Sequence, residues 1–286
     1  MMTDDKNIYT DINEAEEDAL RADKKKAVKE KDDFAELVRA MVFAAVIALV
    51  IRTFLFEPFN IPSGSMYPTL MVGDYLFVEK YSYGYSQYSF PMGILSFEGR
   101  KMRSAPKRGD IAVFRKPTDT SIDYIKRIIG LPGDTIQVKE GRLYINGEMV
   151  VREWLGTEQI KDDGRFTVYQ KYRETLPNGL VHFTYEISDT DHFDNTPEYT
   201  VPPGHYFAMG DNRDSSLDSR AQIDVGFVPE ENLIGRAALL FFSTEGLGDT
   251  CDREGLLAAM KSVGCKIIEW PQAVRYSRMF RRVSSF

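Results

Sequence analysis

One long apolar segment, 37–56, constrains this chain more than any other feature of its sequence. An uncharged stretch at 40–51 lies within it and is bounded by Arg39 and Arg52. About 20 apolar residues in a helix are enough to cross a bilayer. We therefore predict a transmembrane anchor at 35–56 whose two arginines extend towards the interfaces. Because the uncharged stretch is short, a buried core helix is the alternative.

The flanks of this segment predict that the anchor is retained and how it is oriented. No small-x-small cleavage site follows the apolar stretch, which argues against a cleaved signal peptide. Three consecutive lysines, 24–26, precede the segment, whereas the first basic residue after Arg52 is Lys80. By the positive-inside rule, the polar tail at 1–34 is cytoplasmic and the chain beyond about residue 57 lies outside the cytoplasm.

The composition disfavours several functional classes. The chain of 286 residues is 43% hydrophobic and has a net charge of −7, which argues against a nucleic-acid-binding surface. Its two cysteines, Cys251 and Cys265, are too few for a disulfide framework and lack the paired spacing of a zinc site. We therefore expect no metal and no cofactor. A bond between the two cysteines stays open, because a predicted helix at 252–262 separates them.

The chain beyond the anchor shows mostly short β patterns separated by turn signals such as Asn146-Gly147. These patterns predict a mainly β fold with an antiparallel core at 57–138 and 205–286 and an inserted β subdomain at 139–204, preceded by the transmembrane helix. The predicted strands are 75–78, 111–114, 124–129, 135–138, 142–145, 166–172, 181–187, 205–209 and 237–242.

Two further stretches have a composition that suits a membrane surface. The aromatic, uncharged stretch at 81–97 suits the interface, with a buried hairpin as the alternative. Near the C-terminus, aromatic and basic residues that suit anionic head groups occur together: Trp270, Arg275, Arg278, Phe280, Arg281 and Arg282.

Two segments carry candidate catalytic groups. In PSGSMYPTL at 62–70, two prolines and a glycine fix an irregular loop around Ser63 and Ser65. A serine hydroxyl needs a nearby base to act as a nucleophile. Lys126, in DYIKRIIGLPGD at 123–134, lies in a predicted strand where burial would lower its pKa and make it that base. A turn serine and a solvated lysine are the simpler interpretation of these residues.

A third segment, GDNRDSSLDSR at 210–220, combines five charges with three serines after an apolar strand. A plain surface loop is one interpretation. The other is a support for the lysine, in which the Ser216 hydroxyl orients the amine and an ion pair between Asp218 and Arg220 holds the loop.

Together the three segments, in this order after an N-terminal anchor, resemble bacterial signal peptidase I (leader peptidase), a family of Ser/Lys-dyad serine proteases. The resemblance implies a membrane-bound endopeptidase that removes N-terminal signal peptides from secreted preproteins through an acyl-enzyme. Ser65 would be the nucleophile and Lys126 the general base. The other implied roles are an oxyanion hole made by Ser63 and the Ser65 N–H, and support of the dyad by Ser216, Asp218 and Arg220.

The resemblance also implies a specificity, a location and partners. Cleavage would follow an Ala-x-Ala site, because the pockets accept only small side chains. The implied pocket walls are apolar or aromatic: Phe59, Ile61, Pro62, Met66, Leu70, Leu76, Tyr124 and Ile125. The protein would be a single-pass protein of the bacterial inner (plasma) membrane with its catalytic domain on the outer (periplasmic) side. Its partners would be preproteins, the lipid bilayer and the protein-export translocon, and no nucleic acid.

Three rival interpretations are distinguishable. A self-cleaving Ser/Lys protease of the SOS-repressor type would carry a DNA-binding module, which the apolar anchor and acidic tail disfavour. A penicillin-recognising transpeptidase needs S-x-x-K on a helix, and the match at 104–107 contains a proline. An anchored binding module, whose serines only shape a turn, stays open and would be separated by mutating Ser65.

Overall fold

The computed structural model describes residues 36–90, 97–162, 165–245, 271 and 273–283. Contacts divide the chain into two units, Met1–Arg52 and Thr53–Phe286. Helix α1, Glu36–Phe54, is long and apolar enough to cross a membrane, and its apolar side chains are not buried in the protein. It matches the predicted anchor except at its end, where a strand begins at Phe56. The predicted tail, the two cysteines, the helix at 252–262 and Trp270 lie outside the described residues.

The described residues after α1 form β-strands that pair antiparallel throughout. Their bounds are β1 Phe56–Asn60, β2 Asp74–Glu79, β3 Ile111–Lys116, β4 Asp119–Gly130, β5 Thr135–Lys139, β6 Arg142–Ile145, β7 Glu148–Met149, β8 Val151–Asp162, β9 Arg165–Thr175, β10 Val181–Glu186, β11 Tyr199–Thr200, β12 His205–Met209, β13 Val228–Pro229, β14 Leu233–Ser243 and β15 Arg281–Arg282. This confirms the prediction of a mainly antiparallel β fold with one N-terminal helix.

The largest sheet has the strand order β1-β2-β14-β3-β4-β12-β13, and β15 pairs with β14. Alternate residues of β2, such as Leu76 and Val78, face the core, as the period of a half-buried strand requires. Pro58 is tolerated in β1 because β1 is an edge strand. The sheet places β4 between β3 and β12, so the strand that carries Lys126 is supported on both edges.

Two smaller sheets occupy most of the predicted insertion. One has the order β11-β5-β6-β7 and the other β10-β9-β8. The Asn146-Gly147 turn was predicted, and both residues have the positive φ, 54° and 80°, that a two-residue hairpin turn needs. Strand β8 was not predicted, because its side chains are largely exposed and its sequence lacks apolar alternation.

Packing joins the three-stranded sheet to the segment that carries Ser65. Tyr169 and Tyr185 of that sheet form a buried cluster with Tyr67, and their rings stack with centroids 5.1 Å apart. The rest of the apolar interior lies in three further clusters along the main sheet and under the four-stranded sheet. The described part of the stretch at 81–97 contains short 3₁₀ turns, and Tyr85 forms an isolated antiparallel bridge with Lys101, so the interface loop and the buried hairpin both stay open.

Candidate active site

Ser65 lies on a 3₁₀ turn, Gly64–Met66, in the loop between β1 and β2. The turn closes when the Tyr67 N–H donates to Gly64 O at 3.1 Å, and Leu70 N–H donates to Met66 O at 2.9 Å. Gly64 is needed here, because a Cβ atom would lie 2.6 Å from the Tyr67 ring. The predicted irregular loop is therefore a tight turn that leaves Ser65 only 8% exposed.

Lys126 lies next to this serine. It is in β4, paired with Ala112 of β3, and its Nζ atom is 2.6 Å from Ser65 Oγ. Burial lowers the pKa of Lys126 to about 8, although the charges of Asp218 and Asp211 act in the opposite direction. The ring of Tyr124 lies 5.2 Å from Nζ. The arrangement therefore holds a largely desolvated amine against a serine hydroxyl.

The segment 210–220 folds over this pair. Asp218 accepts hydrogen bonds from Gly210 N–H at 2.9 Å and from two guanidinium nitrogens of Arg220, each at 2.9 Å. Burial raises the pKa of Asp218, but the charge and hydrogen bonds of Arg220, together with hydrogen bonds from Gly210 and Ser216, lower it by more, so the net shift is downward. The predicted ion pair is thus present in the structure, and it is fully buried. Its supporting role stays a prediction.

Ser216 is buried beside Asp218, and its hydroxyl helps to lower the pKa of that carboxyl. No bond from Ser216 to Lys126 is formed among the described residues, and the predicted orienting role stays a prediction. Gly210 lies tightly between Ser216 and Ser65 and leaves no room for a side chain. A Cβ atom at Gly210 would lie 2.2 Å from Ser216 Oγ and 2.5 Å from Ser65 O.

The sequence interpretation missed a second buried ion pair beside the dyad. Arg127 donates from Nε to Asp211 Oδ1 at 2.8 Å and from a terminal nitrogen to Oδ2 at 2.6 Å, and the Thr69 hydroxyl also donates to Oδ2. Burial raises the pKa of Asp211, but Arg127, with smaller contributions from His182 and Thr69, lowers it by more. Arg127 directly follows Lys126 in a strand that is buried on both faces. A buried arginine needs a carboxylate partner, so its position in the sequence was the signal from which this ion pair could have been predicted.

The predicted pocket residues are largely gathered in one place. Six of them, Phe59, Ile61, Met66, Leu70, Leu76 and Ile125, belong to one apolar cluster. Pro62 is exposed, and Tyr124 is half-buried against a neighbouring cluster. Met66, Leu70 and Leu76 are 0% exposed, so they lie behind any surface that a substrate touches. Within the described ranges, no group of His, Cys, Asp and Glu side chains could hold a metal ion.

Comparisons with known proteins agree on one family. The family model described as "Signal peptidase, peptidase S26" matches residues 34–242. Signal peptidase I of Rickettsia typhi (strain Wilmington) is 43% identical over 261 residues, covering 88% of this chain and 94% of the relative. This chain belongs to the signal peptidase I family. Signal peptidase I of Rickettsia canadensis (strain McKiel) is also 43% identical, over 253 residues that cover 86% of this chain and 92% of the relative.

A solved signal peptidase I from Enterococcus faecalis V583 is 28% identical and covers 46% of this chain and 97% of its own, with a TM-score of 0.27. That score is too low for the structural likeness to carry an argument.

Family membership decides the class of activity. As a signal peptidase I, the protein is a serine endopeptidase that removes signal peptides, and its substrates are preproteins that bear them. The apolar helix α1 and the family together support a membrane-anchored protein. The SOS-repressor, transpeptidase and binding-module interpretations are therefore wrong.

Proposed function

We propose that this signal peptidase cleaves preproteins with a dyad of Ser65 and Lys126. The observation that carries the proposal is the 2.6 Å between Lys126 Nζ and Ser65 Oγ in a buried setting. Ser65 Oγ attacks the carbonyl carbon of the scissile bond as the Lys126 amine accepts its proton, and the leaving amine then takes that proton. The amine next activates a water that hydrolyses the acyl-enzyme.

The pKa of Lys126 supports this role. With a pKa of about 8, Lys126 carries a neutral amine in roughly one molecule in ten at pH 7, against a negligible fraction at the ordinary value of 10.5. A base is most effective when its pKa lies near the working pH. The fixed charges beside it act in opposite directions, since Asp218 raises its pKa and Arg220 lowers it. Burial is therefore the main cause of the shift.

The oxyanion hole is proposed to consist of the Ser65 N–H and the Ser63 hydroxyl. Ser63 precedes the 3₁₀ turn in an extended conformation, and its side chain makes no capping bond to that turn. Ser63 is exposed, so its hydroxyl is accessible to a substrate carbonyl. Removing one such donor typically lowers kcat by ~10²-fold or more.

Specificity is proposed to follow an Ala-x-Ala site. The apolar cluster beneath the turn is already filled by its own side chains, such as Ile61, Met66 and Leu70. A densely packed wall leaves room for a methyl group more readily than for a large side chain. An extended substrate would pair with backbone groups near Ser65 and along β4.

Membrane topology and further partners are part of the same proposal. We propose a single-pass arrangement with the N-terminus in the cytoplasm and the catalytic part on the outer side of the membrane. The catalytic core is proposed to comprise 57–138 and 205–286, with an insertion at 139–204. Lipid contact is supported by the exposed Phe280, Arg281 and Arg282. Arg275 and Arg278 instead donate inward, to Val72 O and Asp74, so they are poor lipid ligands. The translocon remains a proposed partner.

The test is cleavage of an Ala-x-Ala preprotein in detergent by the full chain, beside Ser65→Ala and Lys126→Met. Lys80→Met is the matched control, because Lys80 is also buried but pairs with Glu57 at 2.9 Å. We expect both dyad variants to be folded and inert, and the control to retain its kcat. Cleavage by Ser65→Ala would refute the dyad. Equal cleavage of a preprotein with phenylalanine in place of the last alanine would refute the specificity.

A further inference from the structure

Asn212 contacts the backbone on both sides of the catalytic serine. Its side-chain Nδ2 donates to Gly64 O at 3.0 Å, and its backbone N–H donates to Ser65 O at 3.1 Å. Asn212 is 1% exposed, and its Oδ1 atom has no partner among the described residues. The bond to Gly64 is therefore the one hydrogen bond that this side chain makes within the described structure.

These two bonds fix two successive peptide planes. A peptide group is planar, so Gly64 C=O and Ser65 N–H turn as one rigid unit, and Ser65 C=O and Met66 N–H form the next. Holding both units fixes φ and ψ of Ser65. The Ser65 N–H then keeps one direction, and so does the Cα–Cβ bond that carries Oγ. Among the described residues, the other hydrogen bond to the Gly64 carbonyl is the 3₁₀ bond from Tyr67 N–H, and such bonds have poorer geometry than α-helical ones.

The neighbours of Asn212 hold it firmly. The backbone at Asn212 forms an isolated parallel bridge with Tyr185 of β10, in which Tyr185 N–H donates to Asp211 O at 2.9 Å and Arg213 N–H donates to Tyr185 O at 2.8 Å. The guanidinium of Arg213 forms a buried pair with Glu174 of β9. The Asp211 carboxylate is bound by Arg127, as described above. Asn212 thus connects the three-stranded sheet to the turn that carries Ser65.

We propose that Asn212 is a positioning residue, which aligns the Ser65 N–H for the oxyanion and keeps Oγ directed at Lys126. The inference rests on the proposed dyad and oxyanion hole. Asn212 would act through Ser65 and without touching the substrate. Its effect is therefore expected in the transition state and hardly at all in substrate binding.

The test compares Asn212→Ala and Asn212→Asp in the full chain in detergent. Alanine removes the donor, and aspartate keeps the shape but, when ionised, cannot donate to Gly64 O. Asn232→Ala is the matched control, because Asn232 is also buried and its Nδ2 likewise donates to a backbone carbonyl, Arg115 O, at 3.0 Å. The readouts are kcat and KM on a preprotein, thermal unfolding, and the affinity for a peptide aldehyde ending in alanine. This aldehyde adds the Ser65 Oγ–H across its C=O to form a hemiacetal whose oxygen occupies the oxyanion hole.

We expect both Asn212 variants to lower kcat about 10- to 100-fold with KM within about twofold, and to weaken aldehyde binding by a similar factor. The Asn232 variant should change neither quantity. A wild-type kcat in either folded Asn212 variant would overturn the proposal, and so would a loss confined to KM. If both Asn212 variants are unfolded, Asn212 serves the fold rather than the oxyanion hole, and the proposal is also overturned. Failure of the dyad itself is recognised separately, by cleavage activity in Ser65→Ala.

Discussion

Gly210 offers the sharpest single test of how the segment 210–220 supports the dyad. A Cβ atom at this position would lie 2.5 Å from Ser65 O and 2.2 Å from Ser216 Oγ. Nonbonded carbon and oxygen atoms stay about 3 Å or more apart, so Gly210→Ala must move Ser65 O by roughly 0.5 Å and Ser216 Oγ by roughly 0.8 Å, or displace Gly210 itself. Each movement disturbs the backbone that orients the nucleophile.

The size of the effect follows from these displacements. A misplacement of about 1 Å in a catalytic geometry costs on the order of 10²-fold in rate, so a shift of half that size predicts a kcat about 10- to 100-fold lower. Overpacking of this kind lowers the free energy of unfolding by about 1–3 kcal/mol, which leaves a folded protein. Gly210→Ala should therefore lower kcat strongly while most of the protein remains folded.

The assay measures kcat on an Ala-x-Ala peptide with thermal unfolding of the same sample. Gly235→Ala is the matched control, because its Cβ atom would also lie 2.5 Å from a backbone oxygen, that of Glu79, and would crowd none of the proposed catalytic residues. We expect the two variants to lose similar stability and Gly210→Ala alone to lose kcat. A folded Gly210→Ala with the kcat of the wild type would refute the reasoning.

The buried ionisable groups give three further predictions. The value of kcat/KM should rise with pH and level off above about 8, because deprotonation of Lys126 supplies the base; a flat profile from about pH 6 to 9 would contradict this. Asp218→Asn leaves the Arg220 guanidinium buried without its carboxylate, so the free energy of unfolding measured in urea should fall by ~3–5 kcal/mol. The same change should also shift the acid limb of the rate profile to lower pH, because Asp218 raises the pKa of Lys126. Burial lowers the pKa of His182 from 6.5 to about 4, so the unfolded chain binds this proton first and stability should fall by about 3 kcal/mol as the pH drops from 6.5 to about 4. His182→Gln should remove that part of the pH dependence in denaturant titrations, and an unchanged curve would assign it to other groups.

Local patterns were enough for much of the fold. The strands at 142–145 and 205–209 were predicted with the bounds that the structure has, because their apolar residues alternate or form a short buried run. The Asn146-Gly147 turn was found because only a few residue types favour positive φ. Strand β8 and the edge strand β1 were missed, since exposed or edge strands have little apolar alternation.

The candidate site divides in the same way. The three segments identified the family and named Ser65 and Lys126 as the candidate catalytic residues. They also predicted the Asp218–Arg220 ion pair, because its members are only two positions apart in the sequence. Asp211 and Asn212 lie in the third segment but were given no role. Their partners are distant in the chain: 142 residues separate Asp211 from Thr69, and 148 separate Asn212 from Gly64.

The sequence by itself determined the apolar anchor helix, the mainly β character and the family, because hydropathy, side-chain period and motif residues are local properties. Only the tertiary structure decided which atoms meet. Ser65 and Lys126 are 61 residues apart, and three strands separate β1 from β4 in the sheet; their 2.6 Å contact forms because the loop between β1 and β2 brings the turn with Ser65 to β4. The lowered pKa of Lys126 has the same origin, because burial comes from packing by segments distant in sequence.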